Sequence, residues 1–322
     1  SLWRRNCPQL RARRQAHSDI FCLRFVKLYR SAESNDNMIT TRIIGGLGNQ
    51  MFQYAAGRAL ALRNRSGLAI DRRAFADYRV HSYALDFFRL DAPDATVGGL
   101  PAQLESARGL RRLLTWRKPV RHVVEAGLRF DPAVASLSGN IYLDGYWQSE
   151  QYFSDFADVL RTDFQFRHAP SPANAALLKR AAADNTVSLH IRRGAYVTNP
   201  SALAVHGTCS PDYYEKAVKN LMEECGKDLV AFVFSDDHSW TRENLRLPIE
   251  MVHVEGNVAE KAYEDMRIMA ACRHHVIANS TFSWWGAWLD PREDTKVIAP
   301  ARWFADQGMD ATDLVPARWN RL

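Results

Sequence analysis

The chain has 322 residues, 47% hydrophobic and 24% charged, which is enough for one large or two moderate domains with real cores. No apolar run approaches the roughly 18 residues that a membrane-spanning helix needs, and the arginine-rich start lacks the apolar stretch of a secretory signal. The net charge of +6 is local: residues 1–37 carry eight Lys and Arg against three acids, and the rest is nearly neutral with 34 basic and 33 acidic residues. A nucleic-acid-binding body is therefore not supported, and only the tail offers contact with an anionic surface.

Residues 1–37 read as a basic, poorly ordered extension. The five cysteines (7, 22, 209, 225, 272) are scattered and form no CxxC pair, which argues against a disulfide framework or a zinc site and for a reducing compartment. The expected location is the cytoplasm, with peripheral contact at the inner face of a membrane left open through the tail.

From Met38 the pattern becomes α/β. Residues 39–44 predict a strand, residues 45–50 a glycine turn, and residues 51–65 a helix with Phe52, Ala55, Ala56, Ala59 and Leu62 near helical spacing. This turn is not a dinucleotide fingerprint, because the correctly spaced third glycine is missing. Residues 66–185 show few clear patterns; the aromatic run at 142–148 suits either a cleft wall or core packing. A second α/β segment begins near Thr186, with strands expected at 187–192, 229–234, 250–254, 275–278 and 296–299. Helices are expected at 211–224, opened by Ser210 and Pro211, and at 258–271. The division expected is an acceptor-side domain at 38–185 and a nucleotide-sugar domain at 186–322, with a cleft between them.

Three places at predicted strand ends carry chemistry, and open α/β sheets bind ligands at such ends. Arg192 and Arg193 follow a partly buried strand, where paired guanidiniums match phosphate or carboxylate geometry or form structural salt bridges. Asp236 and Asp237 end an apolar strand and suit a ribose, a base donor or a helix cap; their direct adjacency gives little support to a metal. At residues 278–288, Ser280, Thr281 and Ser283 open a helix whose free N–H groups and dipole make a seat for phosphate. Trp284, Trp285 and Trp288 follow as core residues. A diphosphate held between the arginines and this helix start as a leaving group would need no P-loop.

Taken together, GGLGNQMFQYA (45–55), HIRRGAYV (190–197), GTCSPDYY (207–214), FSDD (234–237) and NSTFSWWGAWL (279–289) resemble glycosyltransferase family 11, the α-1,2-fucosyltransferases, over about residues 38–310. The resemblance implies a GT-B-like α/β fold of two Rossmann-like domains facing a cleft. It implies inverting, metal-independent transfer of L-fucose from GDP-β-L-fucose to the 2-hydroxyl of a terminal galactose on a glycan, with no cofactor. It places Arg192 and Arg193 on the diphosphate or ribose, Gly48 and Asn49 near the donor sugar and His190 near the nucleoside. Ser280, Thr281, Phe282 and Ser283 fall on the β-phosphate, and Asp236 and Asp237 on guanosine. Arg192, Arg193 and Asn49 are the expected catalytic set.

Ala195 stands where family members usually carry Asp. That leaves two routes for the acceptor proton: another base, or a phosphate oxygen of the departing GDP. Two other readings remain open: a different linkage, such as α-1,6 to N-acetylglucosamine, and a catalytically impaired glycan- or GDP-binding homologue.

Overall fold

A computed structural model describes residues 35–322, apart from 91, 97–99, 102–118, 184 and 258. The expected basic extension lies outside the described residues except at its end, where strand β1 (Asn35–Arg42) begins. This strand starts four residues before the predicted one. Its opening Asn-Asp-Asn is polar, and the register slips between Asn35 and Met38, so no alternation marks it.

From Ile39 onward the strand is buried on both faces, with Ile39, Thr40 and Thr41 all inaccessible, as suits a central parallel strand. Ile39 is buried in the core, and Thr41 donates to the Gln53 carbonyl of helix α1 (Leu47–Asn64). The helix also starts four residues earlier than predicted, so Gly48, Asn49 and Gln50 form its first turn and are not loop. It ends where Arg65 adopts a left-handed conformation (φ 51°) and its N–H closes on the Ala61 and Leu62 carbonyls. Strands β2 (Ser66–Asp71), β3 (Arg121–Val124) and β4 (Ile141–Asp144) complete a four-stranded parallel sheet in the order β2-β1-β4-β3.

The second sheet is also wholly parallel, in the order β10-β9-β8-β5-β6-β7. Its strands are β5 (Thr186–Ile191), β6 (Val230–Ser235), β7 (Glu250–His253), β8 (His274–Val276), β9 (Val297–Ala299) and β10 (Asn320–Arg321). The five predicted strands are present within two residues of their bounds; the two-residue β10 is too short to leave a pattern. Helices α2 (Pro172–Ala183), α3 (Pro211–Cys225), α4 (His238–Asn244), α5 (Tyr263–Ala271) and α6 (Thr281–Trp288) surround this half. The predicted 258–271 helix divides into a 3-10 turn at Ala259–Lys261 and α5. Among the described residues no helix is long and apolar enough to cross a membrane.

The two halves share one core behind their cleft. Phe52 of α1 packs against Trp284 and Trp285 at ring distances of 4.5 and 5.0 Å, and Phe153 stacks on Trp285 at 5.5 Å. All three α6 tryptophans are buried, and each indole N–H has an acceptor: the Leu314 carbonyl, the Gly48 carbonyl and Glu150. Such rings each bury roughly 150–250 Å², so the α1–α6 contact fixes one half against the other.

Candidate active site

In each sheet the chain leaves a central strand to one side and later returns to the other side. The two switch points, β1/β4 and β5/β8, are where crevices open in parallel sheets. The turn Gly45–Asn49 follows β1, and Gly145–Gln148 follows β4. Arg192 and Arg193 follow β5, and Asn279–Ser283 follows β8.

Asn49 joins three of these segments. Its Oδ1 accepts from Gln148 Nε2 and from Thr281 Oγ1, both at 2.9 Å. Gly48 explains why the approach is so close: a Cβ there would lie 2.5 Å from the Thr281 carbonyl carbon. Gln50, fully buried, braces the turn by donating to the Gly45 and Ser82 carbonyls and accepting from Ala84 N–H.

Each arginine has an aspartate partner. The Arg192 guanidinium donates to Asp236, whose other oxygen accepts from the N–H groups of Arg193 (2.8 Å) and Gly194 (3.1 Å). Arg193 Nε donates to Asp237 at 3.3 Å, and its guanidinium lies 3.9 Å from the centre of the Trp240 ring. Asp237 also caps α4 by accepting from Trp240 N–H. Arg192 stands between the halves. Partial burial, and secondarily its charge, push down the pKa of His81 from the first half and of His206 from the second.

At the start of α6, Ser280 caps the helix by accepting from Phe282 N–H, and Ser283 donates back to the Ser280 carbonyl. Thr281 instead turns its hydroxyl to Asn49 of the other half. His190, at the end of β5, is buried beside Phe282 with ring centres 5.8 Å apart. Among the described residues its Nδ1 has no hydrogen-bond partner. Burial holds its pKa down to about 4, so the ring is neutral at pH 7 and has a vacant polar edge. A buried orphan of this kind calls for an explanation.

Ser188 Oγ, His275 and Asp290 form a second cluster, at 2.8 and 3.2 Å. The spacing matches a nucleophilic triad, but all three side chains are buried inside the sheet, so this cluster braces β5 against β8. Burial alone would raise the Asp290 pKa; bonds from His275, Arg292 and Thr295 more than offset it and hold the group far below the carboxylate range.

The structure therefore brings Gly48, Asn49 and Thr281 into contact, pairs Arg192 with Asp236 and Arg193 with Asp237, and sets His190 against Phe282. The sequence reading missed Gln148 and Glu125. The run 142–148 divides: Tyr142 and Trp147 are buried, Tyr146 is exposed, and Gln148 ties to Asn49. A lone glutamine closing an aromatic run was the available signal.

Two parallel α/β units meeting at their switch points define a GT-B-like glycosyltransferase architecture. The family model "Glycosyl transferase family 11" matches residues 117–322. An alpha-1,2-colitosyltransferase of Escherichia coli is 34% identical over 301 residues, covering 89% of this chain and 99% of that one. The O-antigen biosynthesis glycosyltransferase WbnK of Escherichia coli is 31% identical, covering 86% and 98%. The galactoside 2-alpha-L-fucosyltransferase Sec1 of Mus musculus is 27% identical, covering 79% and 65%. Among solved structures, NodZ alpha-1,6-fucosyltransferase soaked with GDP-fucose aligns with a TM-score of 0.49 and 15% identity, over 80% of this chain and 94% of that one. The chain belongs to glycosyltransferase family 11.

Proposed function

We propose that the protein transfers L-fucose from GDP-β-L-fucose to the 2-hydroxyl of a terminal galactose on a glycan, with inversion and without a metal ion. The observation that carries this reading is the convergence of Arg192, Arg193 and the α6 N-terminus on one switch point, opposite Asn49. Two guanidiniums, each oriented by an aspartate, and the positive dipole end of α6 aim donors at the place where a diphosphate would depart. His190, neutral and set against Phe282 at the end of β5, is proposed to flank the nucleoside. Asp236 and Asp237 hold the arginines ready, which favours an orienting role over direct contact with guanosine.

In the step itself the galactose oxygen bonds to C1 of the donor sugar. The C1–oxygen bond to the β-phosphate breaks, and its electron pair passes to the diphosphate held by Arg192, Arg193 and the α6 start. Ala195 supplies no carboxylate on the Gly194–Thr198 helical turn. Of the two routes for the acceptor proton, we propose transfer to a phosphate oxygen of the departing GDP, which needs no carboxylate. The acceptor we propose is a galactose-ended unit, in line with the galactoside-transferase relative's name, and an O-antigen-type glycan, in line with the other relative's name.

The name of the colitosyl relative supports a second donor, because colitose is the 3-deoxy counterpart of L-fucose. A site that hydrogen-bonds the 3-hydroxyl rejects the deoxy sugar strongly, whereas an apolar one does not. The test is transfer from GDP-fucose and GDP-colitose to β-galactosides in EDTA, with the linkage determined. An α-1,2 product supports the reading, and the preferred donor decides between the sugars. Binding of GDP with no transfer to any galactoside contradicts it.

A further inference from the structure

We infer that Tyr146 is the residue on which the acceptor sugar stacks, and that Glu125 is the positioning residue that holds it there. The inference rests on the transferase reading above and deepens it on the acceptor side.

The loop after β4 reverses sharply. Gly145 leaves no room for a side chain, because a Cβ there would collide with that of Glu125. Trp147 takes a left-handed conformation (φ 56°), which bulky L-residues rarely adopt. Its ring is driven into the core, 5.6 Å from Tyr152. Glu125, just past β3, stabilises this reversal: its two carboxylate oxygens accept separately from Tyr146 N–H (2.6 Å) and Trp147 N–H (2.8 Å). Consecutive side chains therefore part, with Trp147 buried, Gln148 bound to Asn49 and Tyr146 40% exposed.

The clamp leaves the Tyr146 ring at the β1/β4 switch point, beside Gly45. One ring edge lies 3.5 Å from where a Gly45 Cβ would stand. His81 borders the same turn at Gly46, with the Tyr78 ring 6.3 Å from it. A tyrosine needed only for packing would not be turned outward by a strained, carboxylate-clamped loop. An outward aromatic face with a polar edge suits the C–H face of a galactopyranose, whose hydroxyls remain free for the reaction.

The test measures acceptor and donor separately in wild type, Tyr146→Phe, Tyr146→Ala and Glu125→Gln, each checked for an unchanged thermal midpoint. Tyr146→Ala is expected to raise the acceptor KM by about tenfold or more with kcat changed far less, while GDP affinity stays the same. Tyr146→Phe keeps the ring and should stay within about twofold of wild type. Glu125→Gln turns an NH₂ group toward one clamped N–H and should follow Tyr146→Ala in acceptor KM alone. Saturation-transfer NMR with methyl β-D-galactoside and no donor gives a reading independent of the chemistry: the ring-proton signal should be present in wild type and lost in Tyr146→Ala. No signal in wild type, an unchanged signal or acceptor KM in Tyr146→Ala, or an equal loss of GDP affinity overturns the inference. Failure of wild type to bind GDP would instead count against the transferase reading, while the galactoside signal would still decide the role of Tyr146.

Discussion

Thr281 and Asn49, 232 residues apart, share a 2.9 Å hydrogen bond that joins the start of α6 in one half to the first turn of α1 in the other. The same Asn49 oxygen accepts from Gln148, so one atom ties together three segments that follow central strands. This carboxamide braces the two halves and, in the proposed function, belongs to the donor site.

Those two roles separate by substitution. Asn49→Asp keeps an accepting oxygen for Thr281 and Gln148 but sets a negative charge against the diphosphate. GDP affinity should fall while thermal stability is nearly retained. Asn49→Ala should lose both, with stability reduced by about 1–2 kcal/mol for two lost hydrogen bonds. Thermal denaturation alongside GDP titration checks the pair; equal stability loss in both variants would contradict it.

Gly48→Ala is expected to be costly although alanine favours helices. Its methyl would meet the Thr281 backbone at 2.5 Å, and backbone on both sides cannot yield as a side-chain tip can. Overpacking of this kind costs about 1–3 kcal/mol. Urea denaturation measures it; a stabilised Gly48→Ala variant would show that the α1–α6 contact is looser than described.

Acid should weaken the fold between pH 6.5 and about 4. Burial holds both His190 and His274 down to about 4 from an ordinary 6.5. Across that window the unfolded chain binds protons that the folded protein refuses, so stability rises with pH there and is fully present above 6.5. Urea midpoints at pH 7, 5.5 and 4.5 should fall in that order. His190→Gln should flatten part of the slope, and a pH-independent midpoint would contradict the burial of these rings.

What the sequence revealed followed periodicity and capping. The strongly apolar β5 and β6, the Ser210–Pro211 helix start and the tryptophans of α6 all signal themselves. So did the arginine pair, which is costly at a strand end without a partner, and the Ser280–Ser283 turn, which carries more hydroxyls than a helix cap requires. Glycine punctuation misled at Gly48, where the residue serves close packing inside a helix and not a loop. The polar start of β1 and the two-residue β10 have no pattern to read. The roles of Glu125 and Gln148 depend on contacts 21 to 99 residues away, which local spacing does not encode; the aromatic run ending in Gln148 was the one local signal, and Glu125 had none.

Ala195→Asp tests the proton route. If a phosphate oxygen of the departing GDP takes the acceptor proton, restoring a carboxylate should change kcat by less than about tenfold, under ~1.4 kcal/mol. Pre-steady-state transfer rates measure the effect. A gain of roughly several hundredfold would mean that a missing base limits this chain.

The most direct test of the central claim is calorimetric titration with GDP in EDTA, comparing wild type with Arg192→Lys, Arg193→Lys and the double Ala variant. Saturable binding is predicted for wild type. Each Lys variant should bind about tenfold or more weakly, because an ammonium cannot reproduce the two-pronged guanidinium contact, and the double Ala variant should not bind measurably. Wild-type binding that survives unchanged in the double variant, or no wild-type binding at all, would contradict a diphosphate seat between the arginine pair and the α6 helix start.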